Sequence, residues 1–97
     1  MNLQNATVLV TAGTSGIGRG VARVLTWAGA KVAVTGRDDA RLLEVARELG
    51  VLAIKADVSN EADVERTYAE VLGAFGHLDV LVNNAGAGAF APLVDFR

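Results

Sequence analysis

The stretch Val8-Leu-Val-Thr-Ala-Gly-Thr-Ser-Gly-Ile-Gly-Arg-Gly-Val-Ala-Arg-Val-Leu25 decides how the chain folds. It begins as an apolar run, passes through a glycine-rich turn and continues with apolar residues at helical spacing. Glycines let a backbone turn tightly and approach a ligand, and the first turn of a helix offers free N–H groups at the positive end of its dipole. A strand that leads into a helix through such a turn predicts a phosphate cradle and, in this context, a dinucleotide-binding unit.

The segments that follow alternate between short apolar runs and amphipathic stretches. The pattern predicts strands over residues 6–11, 31–35, 51–56 and 79–82, a helix over residues 16–28 and a loop over residues 87–97. A second helix is capped by Asp38 or Asp39 and ended by Gly50, and a third is capped by Ser59 or Asn60 and runs to about Phe75. The apolar helix residues expected to face the core are Ile17, Val21, Val24, Leu25, Ala28, Leu42, Leu43, Ala46, Leu49, Val64, Tyr68, Val71, Leu72 and Phe75, and we expect Trp27 to pack beside them.

This βαβαβαβ order predicts an α/β fold of the Rossmann type, with a parallel sheet in strand order 3-2-1-4 and helices on both faces. We expect residues 1–97 to form a single, partial domain of that kind. Ligands of such sheets lie at the carboxyl ends of the strands, at the point where the strand order reverses. The glycine-rich turn, Arg37, Asp57 and the Asn83-Asn84-Ala85-Gly86 turn all fall at those ends.

Composition excludes several other classes of function. The net charge is −2 and no basic run is present, so the sequence gives little support for nucleic-acid binding. The chain has no cysteine, which excludes disulfides, thiolate metal sites and cysteine nucleophiles. His77, the one histidine, is expected in a surface loop at the rim opposite the glycines, so no metal site is predicted. No signal peptide or apolar run of membrane-spanning length is evident, and a cytoplasmic protein without membrane partners is expected.

Three motifs resemble those of the short-chain dehydrogenase/reductase family. Residues Thr11-Ala-Gly-Thr-Ser-Gly-Ile-Gly18 resemble its cofactor loop, Asp57-Val58 its adenine-side pair, and Leu81-Val-Asn-Asn-Ala-Gly86 its turn after the fourth strand. The resemblance covers nearly the whole chain and implies a nicotinamide cofactor and hydride transfer to or from a carbonyl or alcohol. Ala12 stands where the family has its first loop glycine, and we expect the extra methyl group to shift the loop slightly.

The residues and the resemblance together give a set of expected cofactor contacts. They are Gly13, Ser15, Gly16, Ile17, Gly18, Arg37, Asp57, Val58, Asn83, Ala85 and Gly86. Each has a structural alternative: the glycines could serve strand-to-helix packing, Asp57 could cap a helix and Asn83 could brace the sheet. Arg37 could be a solvated surface charge, but an arginine after the second strand suits a 2′-phosphate and favours NADP over NAD. The rival is Asp38, which could bind a ribose hydroxyl but is better placed to cap the second helix.

The family's catalytic residues have no counterpart in this sequence. The resemblance implies an Asn, a Ser and a Tyr-x-x-x-Lys pair, whereas the one tyrosine, Tyr68, precedes the Asn-Asn-Ala-Gly turn and has Leu72 four residues later. The chain therefore resembles the N-terminal portion of such an enzyme and is expected to be inactive alone, with no catalytic residue and an undetermined substrate. A non-catalytic adenine-nucleotide module and a fragment that folds by pairing with another chain are the alternatives. An open edge on strand four and uncovered apolar faces predict a dimer or higher oligomer.

Overall fold

The structure, a computed structural model, describes residues 3–14 and 16–84 and the backbone of residues 94–95. The strands are β1 (Thr7–Thr11), β2 (Lys31–Gly36), β3 (Leu52–Lys55), β4 (Val80–Asn83) and β5 (Val94–Asp95). The helices are α1 (Gly16–Trp27), α2 (Asp39–Leu49) and α3 (Glu61–Phe75). The predicted alternation of strands and helices is confirmed. At most strand and helix ends, the observed bound differs from the expected one by one residue.

The strands form one sheet in the order β3-β2-β1-β4-β5. The first four are parallel, which confirms the predicted order 3-2-1-4. The expectation of loop throughout residues 87–97 was wrong at β5, where Val94 pairs with Leu81 and Asp95 with Val80 in antiparallel register. The unpaired backbone groups along the edge of β4 offer hydrogen bonds to any nearby segment, and a two-residue strand is too short to show alternation in the sequence. The far edge of β4 is therefore not wholly open.

Helices cover both faces of the sheet, as predicted. Val10 of β1 belongs to a buried cluster with Ala22 of α1 and Val45 of α2. Leu9, the neighbouring residue, points to the opposite face and clusters with Val71 of α3. Because successive strand residues face opposite sides and both are buried here, β1 is apolar at each position rather than alternating.

The helix ends follow the capping chemistry of the sequence. Asp38 caps α2 through its side chain, which accepts hydrogen bonds from the backbone N–H groups of Ala40 and Arg41. Asn60 caps α3 by accepting from the N–H of Asp63. Gly50 and Gly76 follow the two helices in the left-handed conformation that glycine adopts readily. These caps fix where each helix begins after its strand and so position the residues of the strand ends.

The predicted core faces of the helices were only partly right. In α1 the buried residues are Gly18 and Ala22. Several apolar residues expected to pack are instead exposed, namely Ile17 (65%), Val24 (61%), Trp27 (77%), Leu43 (52%) and Leu72 (50%). Gly18 and Ala22 let α1 lie close to the sheet, and Val21 and Leu25 of the same helix are partly buried against the core as expected.

Candidate functional site

A cleft of about 670 Å³ opens at the carboxyl ends of β1, β2, β3 and β4. It lies at the rim where the strand order reverses, which is where Rossmann-type sheets bind ligands. Its lining residues come from the end of β2, the first turn of α2 and the segments that follow the four strands; they are Ala12, Thr14, Thr35, Gly36, Arg37, Asp38, Arg41, Ala56, Asp57, Val58, Ser59 and Asn84.

The bend between β1 and α1 is held in place from both sides. The N–H of Ala12 donates to Oγ1 of Thr35 (3.0 Å), and the N–H of Gly13 donates to the Thr35 carbonyl (2.9 Å). On the other side, Nδ2 of Asn84 donates to the carbonyl of Ala12 at 3.4 Å. Ala12 itself has φ 54°, the left-handed region that a glycine would occupy with less strain. The bend is thus tied to β2 and to the end of β4, with Ala12 facing the cleft.

The three glycines of the bend have different surroundings. A Cβ atom on Gly13 would lie 2.7 Å from Cγ1 of Val34, so Gly13 permits close packing on β2. A Cβ atom on Gly18 would lie 2.5 Å from Nδ2 of Asn84, so Gly18 permits α1 to approach the end of β4. Gly16 has φ 59° and nothing within 4 Å of its Cβ position.

These surroundings bear on the expected phosphate contacts. The N–H of Gly13 is already bonded to β2, which favours the packing interpretation of this residue. Gly16 and Ile17 begin α1 and are exposed, and the N–H groups of a first helical turn lack partners within the helix. Gly16, Ile17 and Gly18 lie beside the cleft rather than among its lining residues. Ser15 lies outside the described residues.

The arginine side of the cleft begins directly after β2. Arg37 is exposed and forms no hydrogen bond or ion pair with any of the described residues 3–14 and 16–84. Arg41, in the first turn of α2, lines the same cleft, and its Nε lies 3.9 Å from Oδ2 of Asp38. Thr14 is buried against Gly36, where a Cβ atom would lie 2.5 Å from Cγ2 of Thr14. Two guanidinium groups therefore face the cleft beside a tightly packed strand end.

Asp57 follows β3 and presents an ordered carboxylate. Its Oδ1 accepts hydrogen bonds from the hydroxyl of Ser59 (2.6 Å) and from the N–H of Ser59 (2.9 Å). These two bonds, the hydroxyl's first, lower the pKa of Asp57, and the positive charge of Arg37 adds to the effect. The N–H of Asp57 donates to Oδ2 of Asp63 at 2.8 Å. Asp57 is therefore ionised at neutral pH, with its orientation fixed.

The two asparagines after β4 face different cavities. Asn84 lines the main cleft, and its N–H donates to Oγ1 of Thr11 at 2.9 Å. Asn83 accepts from Oγ1 of Thr11 at 3.0 Å and lines a separate cavity of about 180 Å³ beneath α3, together with Val58 and Tyr68. Asn83 thus has the sheet-bracing contact that was one of its two interpretations. Ala85 and Gly86 lie outside the described residues.

Residues 6–97 match the family model of short chain dehydrogenases. The chain belongs to the short chain dehydrogenase family. It is 44% identical over 80 residues to L-fucose dehydrogenase of Bos taurus, an alignment covering 81% of this chain and 30% of the relative. It is 34% identical over 91 residues to an uncharacterized oxidoreductase of Staphylococcus epidermidis, covering 92% and 40% of the two chains.

Solved structures share the fold of this chain. The 3-ketoacyl-(acyl-carrier-protein) reductase of Brucella melitensis, complexed with NADH, is 43% identical with a TM-score of 0.84, covering 89% of this chain and 36% of that one. A short chain dehydrogenase of Bacillus anthracis is 32% identical with a TM-score of 0.84, covering 90% and 37%. The curated relatives are longer, since this chain spans between 29% and 40% of the length of each.

In this member of the short chain dehydrogenase family, the structure places Arg37, Asp57 and Val58 along one cleft. It adds Thr14 and Arg41, which sequence reasoning missed. Thr14 occupies a variable place in the loop motif, and only its packing on Gly36 marks it. Arg41 gave no comparable signal, because Arg37 precedes the Asp38 cap of α2 and the two arginines do not share a helix. Direct contact of these residues with a cofactor stays a prediction.

In the part of the chain that the structure describes, no helix is long and apolar enough to cross a membrane. No group of three or more histidine, aspartate or glutamate side chains in residues 3–14 and 16–84 is arranged to hold a metal ion.

Proposed function

We propose that this chain is the N-terminal dinucleotide-binding portion of an NAD(P)(H)-dependent short-chain oxidoreductase. The observation that carries the proposal is the single cleft onto which the β1–α1 bend, Arg37 and Asp57 all open. The similar reductase of Brucella melitensis, complexed with NADH, supports the cofactor class. In a longer enzyme, the bound nicotinamide would exchange a hydride with a carbonyl or alcohol substrate.

Different residues of this chain would bind different parts of the cofactor. The first-turn backbone of α1, at Gly16 to Gly18 with Ser15, would hold the diphosphate, because anions bind at helix N-termini. The ionised carboxylate of Asp57 would accept a hydrogen bond from the adenine amino group, and Val58, which is 37% exposed, would pack beside the ring. The turn from Asn83 to Gly86 would border the path toward the nicotinamide.

We further propose that the cleft prefers NADP to NAD. Arg37 and Arg41 both line it, and a guanidinium group matches the geometry and charge of a phosphate. A ribose hydroxyl offers no charge for these groups to bind. The preference therefore depends on Arg37, the residue of the pair without an ion-pair partner among the described residues.

A thermal-shift experiment tests binding and preference together. A ligand at a hundredfold excess over its Kd stabilises the folded state by about 2.7 kcal/mol, which raises Tm by roughly 10 °C or more in a domain of this size. We expect NADPH and 2′,5′-ADP to raise Tm more than NADH does, and Arg37→Gln to remove the difference. Arg47→Gln, on the outer face of α2 and away from the cleft, is the matched control and should leave the shifts unchanged. Equal shifts with NADPH and NADH would refute the preference, and no shift with any ligand would refute binding.

We propose that the 97-residue polypeptide does not catalyse turnover by itself. Tyr68 lies on α3, half-buried and bordering the small cavity rather than the main cleft. The described residues that line the cleft include no tyrosine and no lysine. They therefore supply no tyrosine–lysine pair to act as a general acid on the substrate. A redox assay following nicotinamide absorbance with short carbonyl substrates should show no rate above background, and turnover by the purified polypeptide would contradict this.

A further inference from the structure

On its β2 side, the bend after β1 is held at two points by Thr35. The N–H of Ala12 donates to Oγ1 of Thr35 at 3.0 Å, and the N–H of Gly13 donates to the Thr35 carbonyl at 2.9 Å. Thr35 is completely buried, so water does not compete for its hydroxyl. These two N–H groups are the first that follow β1. Thr35 therefore fixes the place where the chain leaves the sheet toward α1.

The hydroxyl of Thr35 is an exception within β2. The other buried side chains of the strand, those of Val32, Ala33 and Val34, are apolar. Valine has nearly the shape of threonine and suits a buried strand, whereas a buried hydroxyl is unfavourable unless it forms a hydrogen bond. The bond that the structure shows for this hydroxyl is the one from Ala12. Holding the bend is thus the role that accounts for a polar side chain at this position.

Ala12 has a backbone conformation that its own side chain disfavours. Its φ of 54° lies in the left-handed region, where the Cβ atom of an L-residue is crowded and a glycine is not. Asn5, with φ 64°, is the other described non-glycine residue in that region, and asparagine tolerates it better than alanine does. The strain at Ala12 must be offset by its contacts, and the bond to Thr35 holds the N–H of this same residue. Without that bond, alanine would favour a negative φ and the chain after it would take another direction.

We propose that Thr35 is a positioning residue for the cofactor-binding bend, because its hydroxyl holds Ala12 in the left-handed conformation. The inference rests on the proposed binding of a nicotinamide cofactor by the N–H groups that follow, at Gly16 to Gly18. The direction of the chain at Ala12 sets where those groups lie. They are proposed to bind the diphosphate, which NADH and NADPH share. Loss of the Thr35 hydroxyl therefore weakens the binding of both cofactors by the same factor, whereas loss of the Arg37 charge affects NADPH.

Isothermal titration calorimetry of NADH and NADPH, on wild type and on Thr35→Val, tests this role. The substitution replaces the hydroxyl with a methyl group and nearly keeps the shape of the side chain. We expect both Kd values to rise about three- to tenfold, the range that corresponds to the loss of one hydrogen bond, with an unchanged NADPH:NADH ratio. In the double variant Ala12→Gly/Thr35→Val, both Kd values should return to within about twofold of those of Ala12→Gly alone, because glycine adopts the left-handed conformation without the bond.

A measurement without ligand follows the hydrogen bond itself. Amide hydrogen exchange, observed by NMR, should be faster at Ala12 in Thr35→Val than in wild type, because its N–H loses its acceptor. Thr7→Val is the matched control. Thr7 is an equally buried strand threonine, and its hydroxyl lies 3.4 Å from Nε2 of His77 at the opposite rim of the sheet. This variant should leave the exchange at Ala12 and both Kd values unchanged.

Thermal unfolding checks that Thr35→Val folds. If it does not, Thr35→Ser and Thr35→Ala take its place, because both lose the methyl group and only serine keeps an oxygen that accepts from Ala12. Thr35→Ala should then bind both cofactors about three- to tenfold more weakly than Thr35→Ser.

The outcomes separate this inference from the proposed function. A wild-type chain that binds neither cofactor would overturn both. A wild-type chain that binds NADH, with Kd values or Ala12 exchange that Thr35→Val leaves unchanged, would overturn the role of Thr35 alone. A changed NADPH:NADH ratio would also overturn it, because Thr35 would then act on the arginine side of the cleft. An equal loss of affinity in Thr7→Val, or the same loss with and without Ala12→Gly, would show that the hydroxyl does not act through the conformation of Ala12.

Discussion

At Gly18, α1 lies close to the bend after β1 and to the residue that follows β4. A methyl group at this position would collide with the carbonyl of Ala12 and would lie 2.5 Å from Nδ2 of Asn84. Both neighbours belong to the hydrogen bond that ties the bend to β4, so neither can move freely. We expect Gly18→Ala to lower the free energy of unfolding by about 1–3 kcal/mol, as overpacking of a well-packed site does, measured by urea denaturation.

Gly20 provides the control for that substitution. It lies in the same helix and has nothing within 4 Å of its Cβ position. Gly20→Ala should raise stability by about 0.5–1 kcal/mol, because alanine favours the helix over glycine. If both variants changed stability in the same direction, the close approach at Gly18 would not be what requires a glycine there.

Asp57 makes the stability of the chain depend on pH. The hydrogen bonds from Ser59 hold the pKa of Asp57 below its value in the unfolded chain, which is about 4. The stabilisation is therefore present above that value and is lost as pH falls through the lower folded pKa. We expect Asp57→Asn to be less stable than wild type at pH 7, with a difference that shrinks as the pH of the denaturation experiment is lowered below about 4.

Glu65→Gln is the comparison for Asp57. Glu65 is exposed on α3 and forms no ion pair with the described residues, so its substitution should leave the pH dependence close to that of wild type. A constant difference between Asp57→Asn and wild type from pH 7 to pH 3 would show that the charge of Asp57 does not act through these hydrogen bonds.

Some features of individual residues could be predicted from the sequence, and others could not. Ala12 stands where the resemblance places the first loop glycine, and its φ of 54° lies in the left-handed region that glycine adopts readily. Asp38 and Asn60 could be predicted as caps because capping is a local interaction. Thr14 could not be predicted as part of the cleft, because its position depends on close packing against Gly36, which is distant in sequence.

At the scale of elements, α1 and α2 are joined by a network of ion pairs. Arg19 pairs with Glu44 at 2.9 Å and with Glu48, and Arg23 pairs with Glu48 at 2.7 Å. The hydrogen bonds from Arg23 and then from Arg19 lower the pKa of Glu48. Glu48→Gln should therefore lower Tm at low ionic strength, and the difference should nearly vanish at about 1 M salt, where exposed charges are screened.

Glu70→Gln is the matched change within a single helix. Glu70 pairs with Arg66 at 3.2 Å on α3, so its loss leaves the α1–α2 contact intact. We expect a smaller loss of Tm than in Glu48→Gln, because Glu48 contacts two arginines on another element. An equal or larger loss in Glu70→Gln would contradict a joining role for the network.

The helices also show where sequence patterns are insufficient. Apolar spacing located all three helices but did not say which part of each apolar stripe faces the sheet. In α1, Gly18 and Ala22 are buried and Val21 and Leu25 pack against the core, whereas Val24 is exposed. The position of the helix on the sheet decides this, and it depends on contacts between residues far apart in the sequence.

For the whole molecule, the order of the four parallel strands could be derived from the alternation of elements and the handedness of their crossovers. The pairing of β5 with β4 could not, because nothing in Val94–Asp95 distinguishes it from loop. Its presence also changes the argument for self-association. One edge of the sheet is partly paired, so exposed apolar side chains are now the stronger reason to expect association.

These side chains are concentrated on α1, where Ile17, Val24 and Trp27 are each more than half exposed. We predict that the 97-residue polypeptide forms dimers or larger oligomers at micromolar concentration, with this surface buried between chains. Val24→Lys should weaken association at least about tenfold, because it removes buried apolar area and introduces a charge. It should not lower the stability of the helix, since lysine is the better helix former. Multi-angle light scattering over a dilution series measures the change.

Ala74→Lys on α3 controls for the added charge, because Ala74 is exposed on the helix that covers the opposite face of the sheet. Its oligomeric state should match that of wild type if α1 forms the interface. Equal dissociation in both variants would mean that net charge, not the surface of α1, governs association. A wild-type chain that stays monomeric across the micromolar range would remove self-association as a property of this polypeptide and leave nucleotide binding as the remaining proposal.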